Sequence, residues 1–210
     1  MADNYLGRKM EEYEAQKCAS VRTRRVSLLS LLSKNRSTRG FDASFKVRKD
    51  QLLSLVEAAR LAPSAMNQQA LRYRLVTEGE ASLLLPHIRL GTALPDLKLP
   101  LKGTEPNAFI VVCSTKEGRF VDVDMGISAQ TILLRAVEMG LNGVCIAAFD
   151  PEAVQKALQL PLVPQLIIAI GRSAERIEVV DIHEGESQTY YRQNGVHFVP
   201  KLTIDDLLIK

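Results

Sequence analysis

Residues 122–141 set Val123, Ile127, Gln130, Leu134, Val137 and Leu141 at intervals of three or four, which lines them along one stripe of an α-helix. Apolar residues also fill much of the remaining circumference. The spacing therefore predicts the longest helix of the chain, central to its fold, with Gly140 and Asn142-Gly143 as its stop. A helix buried on several sides needs sheet and helices around it. Residues 108–114, 144–149 and 166–170 supply apolar, β-branched runs that read as core strands, with a short helix over 151–160.

The rest of the chain is read in the same way. Residues 1–20 are charge-rich, with Leu6, Met10, Tyr13 and Lys17 at helical spacing, and predict an exposed helix that docks on a partner subunit or frays. Residues 26–32 predict a second helix, with Lys34 and Arg36 near its C-terminus. Asp50 is the expected cap of a third, carrying Leu52, Leu53, Val56 and Ala59 and stopping before Pro63. Residues 72–76 alternate as a strand. Residues 78–107, punctuated by Pro86, Pro95, Pro100 and Pro106, read as a loop with one short helix, facing substrate. The tail, 199–210, is extended and then apolar, suited to reaching another subunit. Helices and strands alternate only partly, which favours an α+β domain spanning 1–210 over a strictly parallel, doubly wound one.

Composition narrows the partners. A net charge of +3 and a pI near 8.8 without a dense Lys/Arg stripe give no reason to expect nucleic acid. No run approaches the ~18 consecutive apolar residues of a membrane span, and the polar start has no signal-peptide pattern. Cys18, Cys113 and Cys145 are few, odd in number and far apart, as in a reducing cytoplasm. His87, His183 and His197 are scattered, so no metal site is expected. Rossmann glycines, a P-loop and a zinc-protease helix are all missing.

Two segments carry binding chemistry. Asn35-Arg36-Ser37-Thr38-Arg39-Gly40-Phe41 offers two guanidiniums and two hydroxyls, donors suited to phosphate oxygens. Pro63-Ser64-Ala65-Met66-Asn67-Gln68-Gln69 ends a helix. In an extended loop its Asn67 and Gln69 amides share a face and match a pyrimidine-like ring edge. Residues 143–149, with small Ala147 and Ala148, could present backbone N–H groups to a ligand. Gly171-Arg172 ends a strand, and Arg172 and Lys201 are further phosphate clamps. Taken singly, each segment is better read as a solvated basic loop, a polar turn, a core strand or a surface cation. Cys145 reads as an inert buried thiol.

In order, these segments resemble the FMN-dependent nitroreductase family. The family's R-S-x-R-x-F element is matched by Arg36-Ser37-Thr38-Arg39-Gly40-Phe41. Its P-S-x-x-N-x-Q element is matched by Pro63-Ser64-Ala65-Met66-Asn67-Gln68-Gln69. A long helix ending in G-L-x-G, here Gly140-Leu141-Asn142-Gly143, and a later Ile170-Gly171-Arg172 also fit, so the resemblance spans 33–201.

The resemblance implies a mostly antiparallel central sheet flanked by helices, in an intertwined homodimer with FMN at the subunit interface. It implies that Arg36, Ser37 and Arg39 hold the phosphate and pyrimidine side. Pro63, Ser64, Ala65 and Asn67 reach it from the other subunit, and Gln69 is a further cofactor-binding residue. Cys145, Ile146, Ala147 and Ala148 line one flavin face, and Gly171, Arg172 and Lys201 lie at the phosphate. The chain also departs from the family. Asn35 stands where many members have Arg, Ala70-Leu71 replaces Pro-Trp, and Ala147 occupies a position where some members carry Glu.

The expected activity is ping-pong hydride transfer from NADH or NADPH, through flavin N5, to a nitroaromatic, quinone or other conjugated acceptor drawn from the 78–107 excursion's side. No side-chain nucleophile or base is expected, because the cofactor carries the chemistry. Two other readings follow from the departures: a flavin-binding storage or sensing module, and a divergent chemistry of oxygen activation or dehalogenation.

Overall fold

Four strands, β1 (Leu71–Val76), β2 (Ala108–Ser114), β3 (Asn142–Ile146) and β4 (Pro164–Gly171), form an antiparallel sheet ordered β1-β2-β4-β3. This is a computed structural model that describes residues 9–10, 26–91 and 99–209. The helix expected over 1–20 and the stretch around Pro95 lie almost wholly outside the described residues.

Alternation along the strands sorts the core into two layers, since successive side chains leave opposite faces of a sheet. Phe109, Val111 and Cys113 of β2 join Val144 and Ile146 of β3 and Ile167 and Ala169 of β4 on one face. That face is covered by α3 (Glu78–Leu84), through Ala81 and Leu84, and by Val154 of α5 (Pro151–Ala157). Ala108, Ile110, Val112, Ile168 and Ile170 point the other way. They meet Leu52, Leu55 and Ala59 of α2 (Lys49–Leu61) and Ala129, Ile132 and Ala136 of α4 (Arg119–Glu138). Each fully buried Ile or Leu in such a layer contributes about 1.5–3 kcal/mol. The fold is α+β, with helices on both faces of an antiparallel sheet, as expected.

The longest helix is α4, but its buried face is not the predicted stripe. Val121, Asp124, Ser128, Ile132 and Ala136 turn inward, while Val123 and Ile127 are exposed. Apolar spacing alone cannot say which of two apolar stripes faces the sheet, and here the stripe containing a carboxylate and a hydroxyl does. The helix stops where the Leu141 N–H donates back to the Ala136 carbonyl at 2.8 Å across Gly140.

At the other helices, α1 (Leu28–Lys34) is capped by Ser27, whose hydroxyl accepts from the Ser30 N–H at 3.2 Å. Asp50 does not cap α2. Arg48 is its N-cap, with the Gln51 side chain accepting the Arg48 N–H at 3.0 Å, and Asp50 sits in the first turn paired with Arg48. Residues 78–107 hold α3, a 3₁₀ turn at Leu85–His87 and isolated bridges of Ile88 to Phe149 and Leu90 to Leu99.

Residues 176–202 fold into a second, smaller sheet that the sequence reading did not anticipate. β5 (Arg176–Ile182) pairs in parallel with β7 (Val196–Leu202), which pairs antiparallel with β6 (Tyr191–Gln193). Asn194 and Gly195, both at positive φ, make the β6–β7 turn. The tail is thus a strand followed by α6 (Ile204–Leu207), whose apolar residues Ile204 and Leu207 are exposed.

Gly143 is required by packing. A Cβ there would lie 2.4 Å from the Ala169 carbonyl oxygen and 2.8 Å from Leu133 Cδ2. The Gly143→Ala variant is expected to lose about 1–3 kcal/mol of stability, as overpacking against backbone does, measured as a lower denaturant midpoint with an unchanged slope.

Candidate functional site

Beyond α1 the chain turns extended at Asn35 and lies along the end of the central sheet. Ser37 bridges in parallel to Gly143, and the Thr38 N–H donates to the Gly143 carbonyl at 3.3 Å. Phe41 bridges to Ser173, and the Asp42 N–H donates to the Arg172 carbonyl at 2.9 Å. Phe41 seats against Gly171, where a Cβ would come within 2.7 Å of its ring. Thr38 is the inward anchor of this segment. It is fully buried, with its hydroxyl 2.8 Å from Ser173 Oγ and donating to Glu175 at 3.1 Å.

Anchoring Thr38 inward leaves its neighbours facing out. Ser37 is exposed and Arg39 half-exposed. Arg39 donates to the Ser37 carbonyl at 3.1 Å and lies over the Tyr190 ring, 4.6 Å from its centroid. Arg36 donates from one Nη to the Leu32 carbonyl at 2.6 Å, while its Nε is buried without a partner. Burial lowers the pKa of this guanidinium from its ordinary value, so its charge is poorly solvated where it stands.

β3 is the edge strand next to this segment, bridged on its outer side only at Gly143 among the described residues. Cys145 and Ala147 are exposed beyond that bridge, Ala148 is half-buried, and Ile146 faces the core. The structure bears on three of the expected residues here. Cys145 is open to solvent rather than enclosed, although crowding around the sulfur still raises its pKa. Ile146 can contribute only backbone to a ligand, and Gly171, buried beneath Phe41, is a seat for that ring rather than a surface.

Residues 63–69 form a separate element. Ala62 is extended ahead of Pro63, and a 3₁₀ turn follows at Ala65–Asn67. Met66, Asn67 and Gln69 all adopt positive φ, so the loop is a left-handed turn and not the extended segment expected. The Asn67 and Gln69 amides still lie together, bonded at 3.0 Å and exposed. Non-glycine residues held in this region carry strain that the surroundings must offset. The offset comes from Asp124 of α4. Its carboxylate, 4% exposed, accepts the Ala65 N–H at 2.8 Å and the Gln68 amide at 3.0 Å.

A cavity of ≈ 360 Å³ borders this loop on the side of α2 and β1, touching Val56, Arg60, Pro63, Gln69, Tyr73 and Ser128. Tyr73 is hydrogen-bonded to Ser128 at 2.9 Å, and burial raises the pKa of its phenol. None of Arg36, Ser37, Arg39 or 145–148 reaches that cavity.

The structure therefore divides the expected residues into groups. Arg36, Ser37 and Arg39 lie beside the outer edge of β3. Pro63, Ser64, Ala65, Asn67 and Gln69 lie on the Asp124-held turn, and no hydrogen bond or ion pair among the described residues joins the two. Arg172 stands 3.7 Å from Asp42 and 4.1 Å over the Phe45 ring. Lys201 is exposed on β7, opposite Asp181. The sequence reading missed Asp124, Thr38 and Glu175. Asp124 carried a signal, since it stands at the spacing of Val121, Ser128 and Ile132 on an otherwise apolar helix face.

The comparisons agree with this architecture. The sequence matches the family model "Nitroreductase family" over residues 32–94 and 97–172. The chain belongs to the nitroreductase family. Its fold is similar to that of a nitroreductase family protein from Clostridium difficile 630, at 24% identity and a TM-score of 0.57 over 71% of this chain and 86% of that one. An FMN-dependent nitroreductase from Clostridium difficile R20291 is 26% identical, with a TM-score of 0.57 over 71% and 89% of the two chains. A nitroreductase family protein from Streptococcus pneumoniae TIGR4 is 18% identical, with a TM-score of 0.62 over 88% of this chain and 100% of that one. A search of the curated proteins finds no match. No helix among the described residues is long and apolar enough to cross a membrane.

Asp124→Ala leaves the Ala65 N–H and the Gln68 amide without their acceptor. The variant is expected to lose about 1–3 kcal/mol by chemical denaturation, with Asp124→Asn recovering part of the loss because its amide oxygen can still accept from Ala65.

Proposed function

We propose that this nitroreductase family member is an FMN-dependent oxidoreductase that works as a homodimer, using NADH or NADPH to reduce a nitroaromatic, quinone or similar conjugated acceptor. One observation carries the reading. The buried, unpartnered Nε of Arg36 stands in the segment that bridges to the open outer edge of β3. A buried donor without an acceptor costs free energy, and a phosphate oxygen is the acceptor for which a desolvated guanidinium is best suited.

Arg36 and Ser37 would hold the phosphate, assisted by Arg172 and Lys201. Releasing Arg172 from Asp42 is cheap, because the pair is exposed and long. Arg39 would place its fixed positive charge near the ring's pyrimidine side. The exposed edge at Cys145, Ile146, Ala147 and Ala148 would offer backbone N–H groups, and small side chains there let a flat ligand approach closely. FMN, when bound, supplies hydride acceptance and donation at N5. Ala147 itself, standing where some family members carry a carboxylate, brings no acid to that face.

The second subunit is argued from two facts. The Pro63, Ser64, Ala65, Asn67 and Gln69 turn is not bonded to the Arg36 segment of its own chain. Exposed apolar residues also run along the outside of the molecule, Phe120, Val123 and Ile127 on α4 and Leu28 and Leu29 on α1. Patches of this kind on a soluble chain mark an interface, and a twofold dimer buries the same patch on both copies. The free thiols Cys113 and Cys145 fit a cytoplasmic setting.

The purified protein is expected to show flavin absorption that bleaches on anaerobic addition of NADH or NADPH and recovers with a quinone. Flavin bands indifferent to both reductants would instead identify a storage or sensing module. Recovery that requires oxygen or a haloaromatic would identify the divergent chemistry. No flavin retained, even after FMN is added, would end the reading. Arg36→Ala should weaken FMN binding about 10- to 100-fold, the loss of a charge-assisted hydrogen bond at about 1.5–3 kcal/mol, read by fluorescence titration. Ile127→Asp should shift the protein to monomer in sedimentation and lose FMN affinity with it.

A further inference from the structure

A second cavity, of ≈ 250 Å³, opens between the Arg39 segment and the small sheet, with Arg39, Gly40, Leu99, Thr104, Arg192 and His197 on its walls. Arg192 of β6 and His197 of β7 are direct cross-strand partners, so both side chains leave the same face of the sheet. His197 is 2% exposed and neither of its ring nitrogens has a hydrogen-bond partner. The Nε of Arg192 is likewise buried and unpartnered. Orphaned buried polar atoms are rare in folded proteins and call for an occupant. Here the three belong to two residues that line one cavity.

The charges around the cavity identify the occupant's sign. Glu175 is fully engaged: its carboxylate accepts from the Arg39 backbone N–H at 2.5 Å and from Thr38 at 3.1 Å, and it pairs with Arg192. Arg176 is paired with Glu178 at 2.6 Å. Among the described residues Arg39 is the one lining arginine without a carboxylate partner; it meets the Ser37 carbonyl and the Tyr190 ring. The lining is therefore cationic once its internal pairs are counted. Its unpartnered groups are the Arg192 Nε–H, a donor, and the His197 imidazole, which donates from one nitrogen when neutral and from both when protonated, and no group of possible metal ligands exists among the described residues.

We propose that this cavity binds an oxyanion, the carboxylate or phosphate group of a small molecule, on the His197 imidazole and the Arg192 Nε, with Arg39 supplying the unbalanced charge. Burial, Arg39 and Arg192 lower the pKa of His197, and Glu175 partly opposes them. An anion in the cavity opposes that lowering and favours the protonated ring, in which both nitrogens carry a proton and one can donate to the ligand. Of the lining, only Arg39 belongs to the set proposed for the flavin, so the cavity takes a second ligand beside the cofactor. Its binding can be tested whether or not the flavin reading survives.

The test is made on the full chain labelled with ¹⁵N-histidine, with ring nitrogens followed by NMR. Sodium acetate and inorganic phosphate are titrated separately against sodium chloride at matched ionic strength. The His197 resonances are expected to move saturably with at least one probe, and the ring pKa to rise by about 1 unit or more, as it does for a group gaining an opposite charge within hydrogen-bond reach. His87 and His183 should show only the drift common to both salts. Response to acetate assigns a carboxylate, and response to phosphate a phosphate ester. The same probe should raise the Tm of the wild type and not of His197→Phe, which keeps the ring packed on Tyr190 but removes both nitrogens. His197 resonances indifferent to both probes would overturn the proposal and leave the cavity to water. So would equal Tm responses in wild type and variant. The wild-type titration decides the matter even if the variant folds poorly.

Discussion

The close approach at Gly143 is the constraint on which the candidate site depends. Three elements meet there without room for a side chain: the Ala169 backbone of β4, Leu133 of α4, and the Ser37 bridge from the incoming segment. Because β3 is drawn tightly onto β4 and α4 on its inner side, its outer edge can accept the Arg36–Arg39 stretch at one point and then run free. Burial of Thr38 does the rest. A fully enclosed residue between two outward ones fixes the facing of Ser37 and Arg39, as alternation along extended chain requires. Backbone bonds and one buried hydroxyl thus set the facing of the binding groups, while Arg36 and Arg39 each spend one donor on a nearby carbonyl, leaving the Arg36 Nε unpartnered.

α4 carries a comparable division on its two faces. Its inward stripe closes one core layer and, through Asp124, reaches out to hold a strained turn. Its outward stripe remains apolar and exposed. A carboxylate buried this deeply would be costly unless it found donors, and the Ala65 N–H and Gln68 amide are those donors. Strain in the turn and burial of the charge therefore offset one another. Each alone would destabilise the fold, and together they hold the Asn67 and Gln69 amides side by side.

Much of this was legible in the sequence because the signals were local. The β-branched run of β2 was read with its observed bounds, and Pro63 stops α2 by a clash that depends only on its neighbour. The order of short motifs was enough to recognise the family. The facing of α4 was not legible, because two apolar stripes compete on one helix and only the sheet decides between them. The conformation of 63–69 was missed for a related reason. Three non-glycine residues at positive φ are unfavourable locally, and the long-range bonds from Asp124 that stabilise them have no sequence signature. The small C-terminal sheet did carry one. Asn194-Gly195 is a two-residue hairpin signal, and applying it would have paired Arg192 with His197 directly.

That pairing bears on how Arg39 functions. Its guanidinium rests on the Tyr190 ring, and Tyr190 in turn lies 5.2 Å from His197. Its backbone N–H is held by Glu175, which also pairs with Arg192. Hydrogen bonds and ring contacts thus connect the segment beside β3 to the small sheet through Arg39 and, by its hydroxyl on Glu175, through Thr38. Arg39 is half-exposed, so water screens its charge there, and what it carries across the junction is geometry. Lys, which lacks the planar fork that stacks on Tyr190 while bonding Ser37, would not reproduce that link.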